Sequence, residues 1–438
     1  MPNSNIFCNI PWFEININHD GSYDLCGCQN DKLVGTELGQ IYNIKKISID
    51  QYWNSERLQT ARLKKLGDRP DPMCRMCQQK EAVGYESNRI KENLKSVIFQ
   101  KEFDRSYYQS PNVHHFEYSK NNQGHTQTKV HSLHVNLGDT CNFACRMCNP
   151  YASTRLQTEF KQLTWMARDQ RLVHWTDDAQ GWNNFVEFLI NHGEQIKVLH
   201  IIGGEPALLP KFEFLINYFI EKDLAKNVNI SFTTNGSYTY SEYFTQLSKY
   251  KRAEIGISIE AVSAIGDYIR QGGDINNILK NIQWINSNKS NNVQLVLRTV
   301  PSLLSLPSYH ELILWAFETG IPIDNSLLVN PAWQQTSLLP IDIREKIIQN
   351  ISKILEKLPN NAGEFNNQKD ANKIAISIRN ECESIINIAQ LPEPPNADLL
   401  KKECAVKLSQ WDQLKNINLK NYSIDLYNFL NKYGYQGA

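Results

Sequence analysis

Cys141, Cys145 and Cys148 stand in the run CNFACRMC, a C-x3-C-x2-C spacing directly after an apolar, strand-like stretch. Thiolates are soft ligands that select zinc, copper(I) or iron–sulfur clusters. An electron-carrying [4Fe–4S] cluster takes four cysteines. Three cysteines leave one iron without a protein ligand, and an open metal position is a place for chemistry. The spacing differs from the paired C-x2-C units of a zinc ribbon. From spacing alone, a structural zinc site and separate buried cysteines both stay open.

Further along, Gly203-Gly204-Glu205-Pro206 closes a second strand-like run. Two glycines allow a backbone to approach a ligand closely, and the Glu205 carboxylate can accept charge-assisted hydrogen bonds from an ammonium group. The same four residues also make an ordinary tight turn. A third run ends in Thr233-Thr234-Asn235-Gly236, a fourth carries Ser258-Ile259-Glu260, and Arg270 sits in DYIRQGGD. Asn-Gly is a common turn pair and a strand serine is unremarkable. Arg270, and more weakly Arg298 on the fifth run, offer a guanidinium fork suited to a carboxylate; a solvated helix-end arginine is the plain alternative.

The elements that must position these groups show in the periodicity. The runs VHSLHVNL (130–137), IKVLHII (196–202), NVNISFT (227–233), AEIGISIE (253–260), VQLVLRTV (293–300) and IPIDNSLLV (321–329) read as strands. Helical stretches near 152–170, 180–192, 210–222, 240–249, 276–287 and 308–318 lie among them, the alternation of a β/α fold. In parallel β/α barrels the functional groups gather at the C-terminal strand ends, and most of the motifs above lie at or near such ends. From 340 onward the pattern is helical, interrupted by PEPP at 392–395. Residues 96–128 are polar and rich in Asn and Gln and read as a linker, although FDRSYY within them could pack on something.

Together these residues resemble the radical S-adenosylmethionine (SAM) superfamily, whose signature is C-x3-C-x2-C and whose partial barrel has six β/α units. The resemblance implies that the open iron chelates the amino and carboxylate groups of SAM. It implies that Gly203, Gly204, Glu205 and Pro206 hold the SAM amino group, that Asn235 and Ser258 lie near its ribose and carboxylate, and that Arg270 reaches the carboxylate. One departure is Met147, where the family usually has an aromatic residue before the last cysteine. The implied reaction is reductive cleavage of SAM to methionine and a 5′-deoxyadenosyl radical, which abstracts hydrogen from a substrate. An electron donor such as flavodoxin or ferredoxin is implied as partner.

The N-terminal cysteines add a second resemblance. Cys8, Gly21 and Cys26 give C-x12-G-x4-C, a helical "YWNSERLQTAR" follows, and Cys74 and Cys77 close with C-x2-C. This resembles the SPASM/twitch domain, which binds auxiliary [4Fe–4S] clusters and in most relatives follows the barrel. By that resemblance Cys8, Cys26, Cys74 and Cys77 saturate one auxiliary cluster; a four-thiolate zinc site fits the same residue types. Cys28 is a spare thiol or replaces one of the four. Cys382 and Cys404 read as core or helix-face thiols, Met73 and Met76 as packing, and His114, His115, His131 and His134 as structural, lacking a ligand spacing.

Length and charge bound the rest. The chain has 438 residues, room for two or three cored domains. Its 46 basic and 46 acidic side chains cancel, so nothing steers it toward nucleic acid or an anionic membrane. No apolar run approaches the roughly 18–20 residues that span a bilayer, and the N-terminus lacks the basic and apolar regions of a signal peptide. Eight of ten cysteines fall in the first 148 residues, a clustering that in a cytosolic protein points to metal rather than disulfides.

The expected fold class is α/β: a partial (β/α)6 barrel of TIM type with a small N-terminal α+β cluster-binding domain and a helical C-terminal extension. The expected domains are 1–95 (twitch/SPASM-like), 96–128 (linker), 129–332 (radical SAM barrel) and 333–438 (helical). The expected protein is a cytoplasmic radical SAM enzyme acting on a ribosomally made peptide. A small sugar or nucleotide metabolite is the second substrate class, and a non-catalytic iron–sulfur redox or peptide-docking protein the other function class.

Overall fold

The computed structural model describes residues 7–26, 42–67, 74–82, 87–98, 113–163, 173–358 and 369–438. Cys28, Met73, the FDRSYY segment and the last part of the helix expected over 152–170 lie outside these residues.

All six strand-like runs form strands: β3 (Ser132–Asn136), β5 (Val198–Ile202), β6 (Asn229–Thr234), β7 (Arg252–Ser258), β9 (Val293–Thr299) and β10 (Ile323–Asn325). They lie side by side in that order, every neighbouring pair parallel. The period of two splits each strand. Leu133 and Val135, Leu199 and Ile201, Ile230 and Phe232, Ile255 and Ile257, and Leu295 and Leu297 are all buried on one face. The connecting helices Ala179–His192, Pro210–Glu221, Ile275–Asn288 and Tyr309–Thr319 belong to the same core. The Ile275–Asn288 helix buries Ile275, Ile278, Ile282 and Ile285, one face at helical spacing. Asp178 and Asp274 cap two of these helices by accepting from Gly181 N and Asn277 N, which sets where they begin.

The opposite face of the sheet is polar. Asn16, His134, His200, Ser231, Glu254 and Gln294 are in register across it. Ser258, Arg298 and Asp324 form a second row nearer the C-terminal ends. Here His200 Nδ1 and Ser231 Oγ share a hydrogen bond of 2.6 Å, and Arg298 reaches Thr233 Oγ1 (2.8 Å) and Glu254 Oε1 (2.7 Å). Gly256 makes that reach possible, because a Cβ there would overlap Arg298 Nε.

The sheet has two strands more than the six expected. β1 (Glu14–Ile17) pairs in parallel with β3, and β2 (Tyr23–Asp24) folds back antiparallel on β1. Ile15 and Ile17 are fully buried, in phase with Leu133 and Val135. Gly21 turns this hairpin at φ +86°, where a Cβ would stand 2.8 Å from Asn43 Oδ1 and 2.9 Å from Trp175 Cβ. The N-terminal region is thus built onto the edge of the barrel sheet.

The linker expected over 96–128 is corrected for its second half. Val113–Asn121 is a helix whose Phe116 ring meets Phe7 and Trp12 edge-on at 5.0 and 4.9 Å. Trp12 Nε1 donates to Ser119 Oγ (2.9 Å), and Thr128 Oγ1 donates to Trp12 O (2.7 Å). Phe116 and Ser119 share one face of the helix, a three-residue spacing hidden in a segment of polar composition. Arg62, fully buried in the expected YWNSERLQTAR helical region, binds the carbonyls of Pro11, Trp53 and Gly124 and ties this layer together.

The C-terminal helices Ile341–Lys357, Lys369–Ala389, Ala397–Lys415 and Ile424–Asn431 extend the same core. Among the described residues no helix is long and apolar enough to cross a membrane. The second of these helices lies along β10 and buries Glu381, which accepts from Tyr309 OH and Asn325 Nδ2, both at 2.6 Å. Burial raises its carboxyl to about 7, against the two hydrogen bonds. The raised value means that protonation favours the folded state: this favourable contribution is full below the unfolded value near 4.5 and is lost as pH rises through about 7. The difference corresponds to about 3 kcal/mol. Glu381→Gln should therefore raise the melting temperature at pH 8 and change it far less at pH 4.5. An equal shift at both pH values in thermal denaturation would contradict this assignment.

Candidate active site

The cysteine loop leaves β3 with little regular structure of its own. Its one short strand, β4 (Ala144–Cys145), pairs antiparallel with β8 (Arg270–Gln271). Arg146 N donates to Ile269 O (2.8 Å), and Cys148 N to Cys145 O (3.0 Å). Ser153 Oγ donates to Phe143 O (2.6 Å) and caps the Thr154–Phe160 helix by accepting from Leu156 N. Arg155 Nη1 holds Asn142 O (2.8 Å), and Gln157 Nε2 holds Asp139 Oδ2 (2.6 Å). Gly272 (φ +100°) and Gly273 let the RQGG turn close on this loop: a Cβ on Gly272 would stand 2.9 Å from Asn142 O, and one on Gly273 2.8 Å from the Phe143 ring.

The three thiols lie within one another's electrostatic reach. Cys145 is buried, and Cys141 and Cys148 are half-buried. Cys141 Sγ accepts from Phe143 N (3.5 Å) and lies 3.8 Å from Asn235 Nδ2; Cys145 Sγ lies 3.6 Å from Arg270 Nη1. Burial pushes all three thiols up, Cys148 to about 11, its neighbour Cys141 adding to the rise and Arg270 opposing it. Such thiols give up their protons when a metal takes its place.

Gly203 and Gly204 do come close to a backbone, and it is that of the cysteine loop itself. Gly204 N donates to Gly138 O and Glu205 N to Thr140 O, both at 2.8 Å. A Cβ on Gly203 (φ +146°) would stand 2.6 Å from Gly138 O, and one on Gly204 would overlap Thr140 O. The Glu205 carboxylate, expected to face an ammonium group, is instead fully buried. It accepts from Thr234 Oγ1 (2.7 Å), Asn235 N (2.8 Å) and Tyr240 OH. Burial raises its carboxyl, against these three donors and the backbone N–H of Ala207. Pro206 opens the short 3-10 turn Pro206–Leu208 behind it.

Asn235 is held by that clamp and crosses to the cysteine loop, Nδ2 donating to Asn142 Oδ1 (2.8 Å). Ser258 ends β7 on the polar face, beside Arg298. Arg270, expected to await a free carboxylate, already has one: Nε and Nη2 bind Glu260 at 2.5 and 2.7 Å. Its remaining nitrogen faces Cys145. Arg146, Asn142 and Tyr240 are the site residues that motif reading missed, because each acts through a partner 35 or more positions away that no local spacing marks. Glu260, named only as part of its strand tip, meets Arg270 ten positions on. The 330–338 loop is packed inward at Trp333, Gln334, Thr336, Ser337 and Leu338, and Gln334 Nε2 donates to Arg146 O (2.7 Å). His131 is tied to Gln195 O (2.8 Å), and burial lowers His134 to about 4, so both rings stay neutral near pH 7.

In the N-terminal region Cys8 and Cys77 are buried and Cys74 is half-buried. Burial pushes Cys8 up to about 12; Lys65 opposes this and the charges of Cys74 and Cys77 add to it, so the three share one surrounding. Lys65 Nζ stands 2.5 Å from Cys74 Sγ. Cys26 is half-buried and lies two residues past the end of β2. Among the described residues, no three His, Cys, Asp or Glu side chains converge closely enough to hold a single metal ion. One zinc, with Zn–S bonds of about 2.3 Å, would draw its sulfurs to within about 4 Å of one another.

Residues 135–301 match the model of the radical SAM superfamily, and residues 8–78 match that of SPASM, an iron–sulfur cluster-binding domain. A search of curated proteins finds no match. Among solved structures, Streptococcus suis SuiB is 14% identical over 72% of this chain and 66% of its own, with a TM-score of 0.37. SuiB bound to its precursor peptide SuiA gives 13%, 72%, 66% and 0.35. TYW1 with a lysine–pyruvate adduct gives 16% identity over 53% of this chain and 74% of its own, with a TM-score of 0.29. With the cysteine loop, the GGEP contact and the parallel β/α sheet in place, the two family matches make residues 135–301 a radical SAM domain and residues 8–78, ahead of it, a SPASM-type iron–sulfur cluster-binding domain.

Proposed function

We propose that this enzyme modifies a ribosomally made peptide, with Cys141, Cys145 and Cys148 holding the SAM-binding [4Fe–4S] cluster. Cys8, Cys26, Cys74 and Cys77 hold the auxiliary one. The observation that carries the substrate class is the SPASM match at residues 8–78, a module whose radical SAM relatives most often act on such peptides.

When bound, the cluster supplies the electron that cleaves SAM to methionine and the hydrogen-abstracting 5′-deoxyadenosyl radical. The chain's own residues prepare that event. Phe143 N and Asn235 Nδ2 stand at Cys141 Sγ and Arg270 Nη1 at Cys145 Sγ, donors that favour thiolate over thiol and bear on the reduction potential. Gly203, Gly204 and Pro206 seat the loop, and Glu205 sets the Thr234–Asn235 tip. Ser258, at the end of β7 beside Arg298, is the residue assigned to the ribose or carboxylate of SAM from that strand. The Glu260–Arg270 pair keeps the charge beside Cys145 from wandering. At the second site the Lys65 ammonium favours charge on Cys74. Cys8, Cys26, Cys74 and Cys77 would together leave no iron of an auxiliary cluster open, which would suit that group to electron transfer rather than to binding substrate. The polar row from His134 to Glu254 supports a second reading, a small polar metabolite lodged against the inner face.

A flavodoxin- or ferredoxin-type donor supplies the electrons, and the cytoplasm is the compartment.

Anaerobically reconstituted protein with a reductant should convert SAM to 5′-deoxyadenosine, and Cys145→Ala should abolish that product while circular dichroism stays unchanged. Iron analysis should return about eight irons per chain, two cubane clusters; about four irons with bound zinc would remove the auxiliary cluster. Cys74→Ala should still cleave SAM yet leave a precursor peptide encoded beside the gene unmodified. Turnover of a small sugar or nucleotide in place of the peptide would decide for the second reading. Gly204→Ala, which forces a Cβ onto Thr140 O, should cost about 1–3 kcal/mol of overpacking. It should lower iron retention by the SAM cluster without affecting the auxiliary one.

A further inference from the structure

Arg146 lies between Cys145 and Cys148, and neither its side chain nor that of Asp412 is exposed. Arg146 Nη2 binds Asp412 Oδ1 at 2.5 Å, and Nε donates to Tyr268 O (2.9 Å). The guanidinium lies over the Tyr268 ring at 3.9 Å and the Trp411 ring at 5.1 Å. The other Asp412 oxygen accepts from Tyr268 OH (2.8 Å) and Tyr435 OH. The backbone of Arg146 is held as well, its N–H by Ile269 O and its carbonyl by Gln334 Nε2. The Ala397–Lys415 helix also grips the far side of the loop. Trp411 Nε1 donates to Glu159 Oε2 (2.8 Å), Lys415 pairs with the same carboxylate, and Trp411 packs on Ala144, Leu156, Phe160 and Leu163.

We propose that Asp412 is a positioning residue of the SAM-cleaving site: through Arg146 it fixes the segment carrying Cys145 and Cys148, so the C-terminal helix is a working part of that site. This rests on Cys141, Cys145 and Cys148 being the cluster ligands. A buried charge is tolerated only with its counter-charge in place. Loss of Asp412 leaves Arg146 charged, dry and one residue from a ligand, and the chain relieves this by moving the loop toward water. The Asp412 side chain is fully buried, and it reaches the cysteine loop through Arg146, with Tyr268 bridging the two.

The test compares thiol alkylation by iodoacetamide in the metal-free full chain with spectroscopy of the reconstituted enzyme. In Asp412→Asn, Cys145 and Cys148 should alkylate about tenfold faster, the scale of a local opening. Cys382, fully buried on another helix, should keep its protection. After reconstitution, the electron paramagnetic resonance signal of the SAM-binding cluster should lose its response to added SAM, while the auxiliary signal stays. The uncharged pair Arg146→Met with Asp412→Leu should recover much of the protection at Cys145. Tyr435→Phe, which leaves both charges in place, should give a smaller change in the same direction and serves if Asp412→Asn does not fold. Unchanged protection at Cys145, or loss at Cys382 in step with Cys145, would overturn the proposal. Faster alkylation in a protein whose Cys141→Ala variant keeps all its iron would uphold the brace and overturn the cluster reading instead.

Discussion

The cysteine loop must hold three thiols in place while lacking the ladder of hydrogen bonds that a longer strand or helix would provide. Its backbone polar groups still need partners once they leave water. The tip of β5 supplies them: Gly204 N and Glu205 N donate to the carbonyls of Gly138 and Thr140. Only residues without a side chain can lie that close, since a Cβ on Gly204 would collide with Thr140 O. Everything else around the site is arranged on this seam. Glu205, placed by it, turns its carboxylate inward and sets the tip of β6, and Asn235 then returns to the loop at Asn142.

Charge is the second constraint. The site buries Glu205, Glu260, Arg270, Arg146 and Asp412 within a few turns of three thiols. Isolated, each would be expensive to desolvate. Glu260 pairs with Arg270, Asp412 with Arg146, and Glu205 is answered by three donors. Neutral pairing lets the loop stay dry and leaves the nitrogen of Arg270 nearest Cys145 available to a thiolate. The arginine that motif reading assigned to a free carboxylate is therefore engaged already, on the side that stabilises the cluster-binding thiols.

The six strands and their order were legible because alternation is a local signal: burying one face of a parallel sheet under helices writes itself into every second residue. Ile278, Ile282 and Ile285 announce their helix in the same way. The strand Glu14–Ile17 was not legible as part of the barrel sheet, although Ile15 and Ile17 alternate correctly. Four residues can pair with any edge, and nothing local says that the edge is β3. The helix at Val113–Asn121 was hidden by polar composition, with Phe116 and Ser119 buried on one face of it.

By itself, the sequence determined the chemistry on offer: soft ligands at a spacing that leaves an iron open, glycines at a strand end, a second cysteine set ahead of the barrel. Residue type and short-range spacing carry that information, because ligand softness and backbone freedom belong to single residues. Tertiary structure alone decided the partners. Glu205 faces Tyr240, Arg270 faces Glu260, and Arg146 faces Asp412 across 266 positions of chain. Neither periodicity nor a local motif marks such pairs, which stand from 10 to 266 positions apart. A buried charge finds its counter-charge only when folding has brought both out of water, and here that pairing decided which candidates remain open to a ligand and which hold the site in shape.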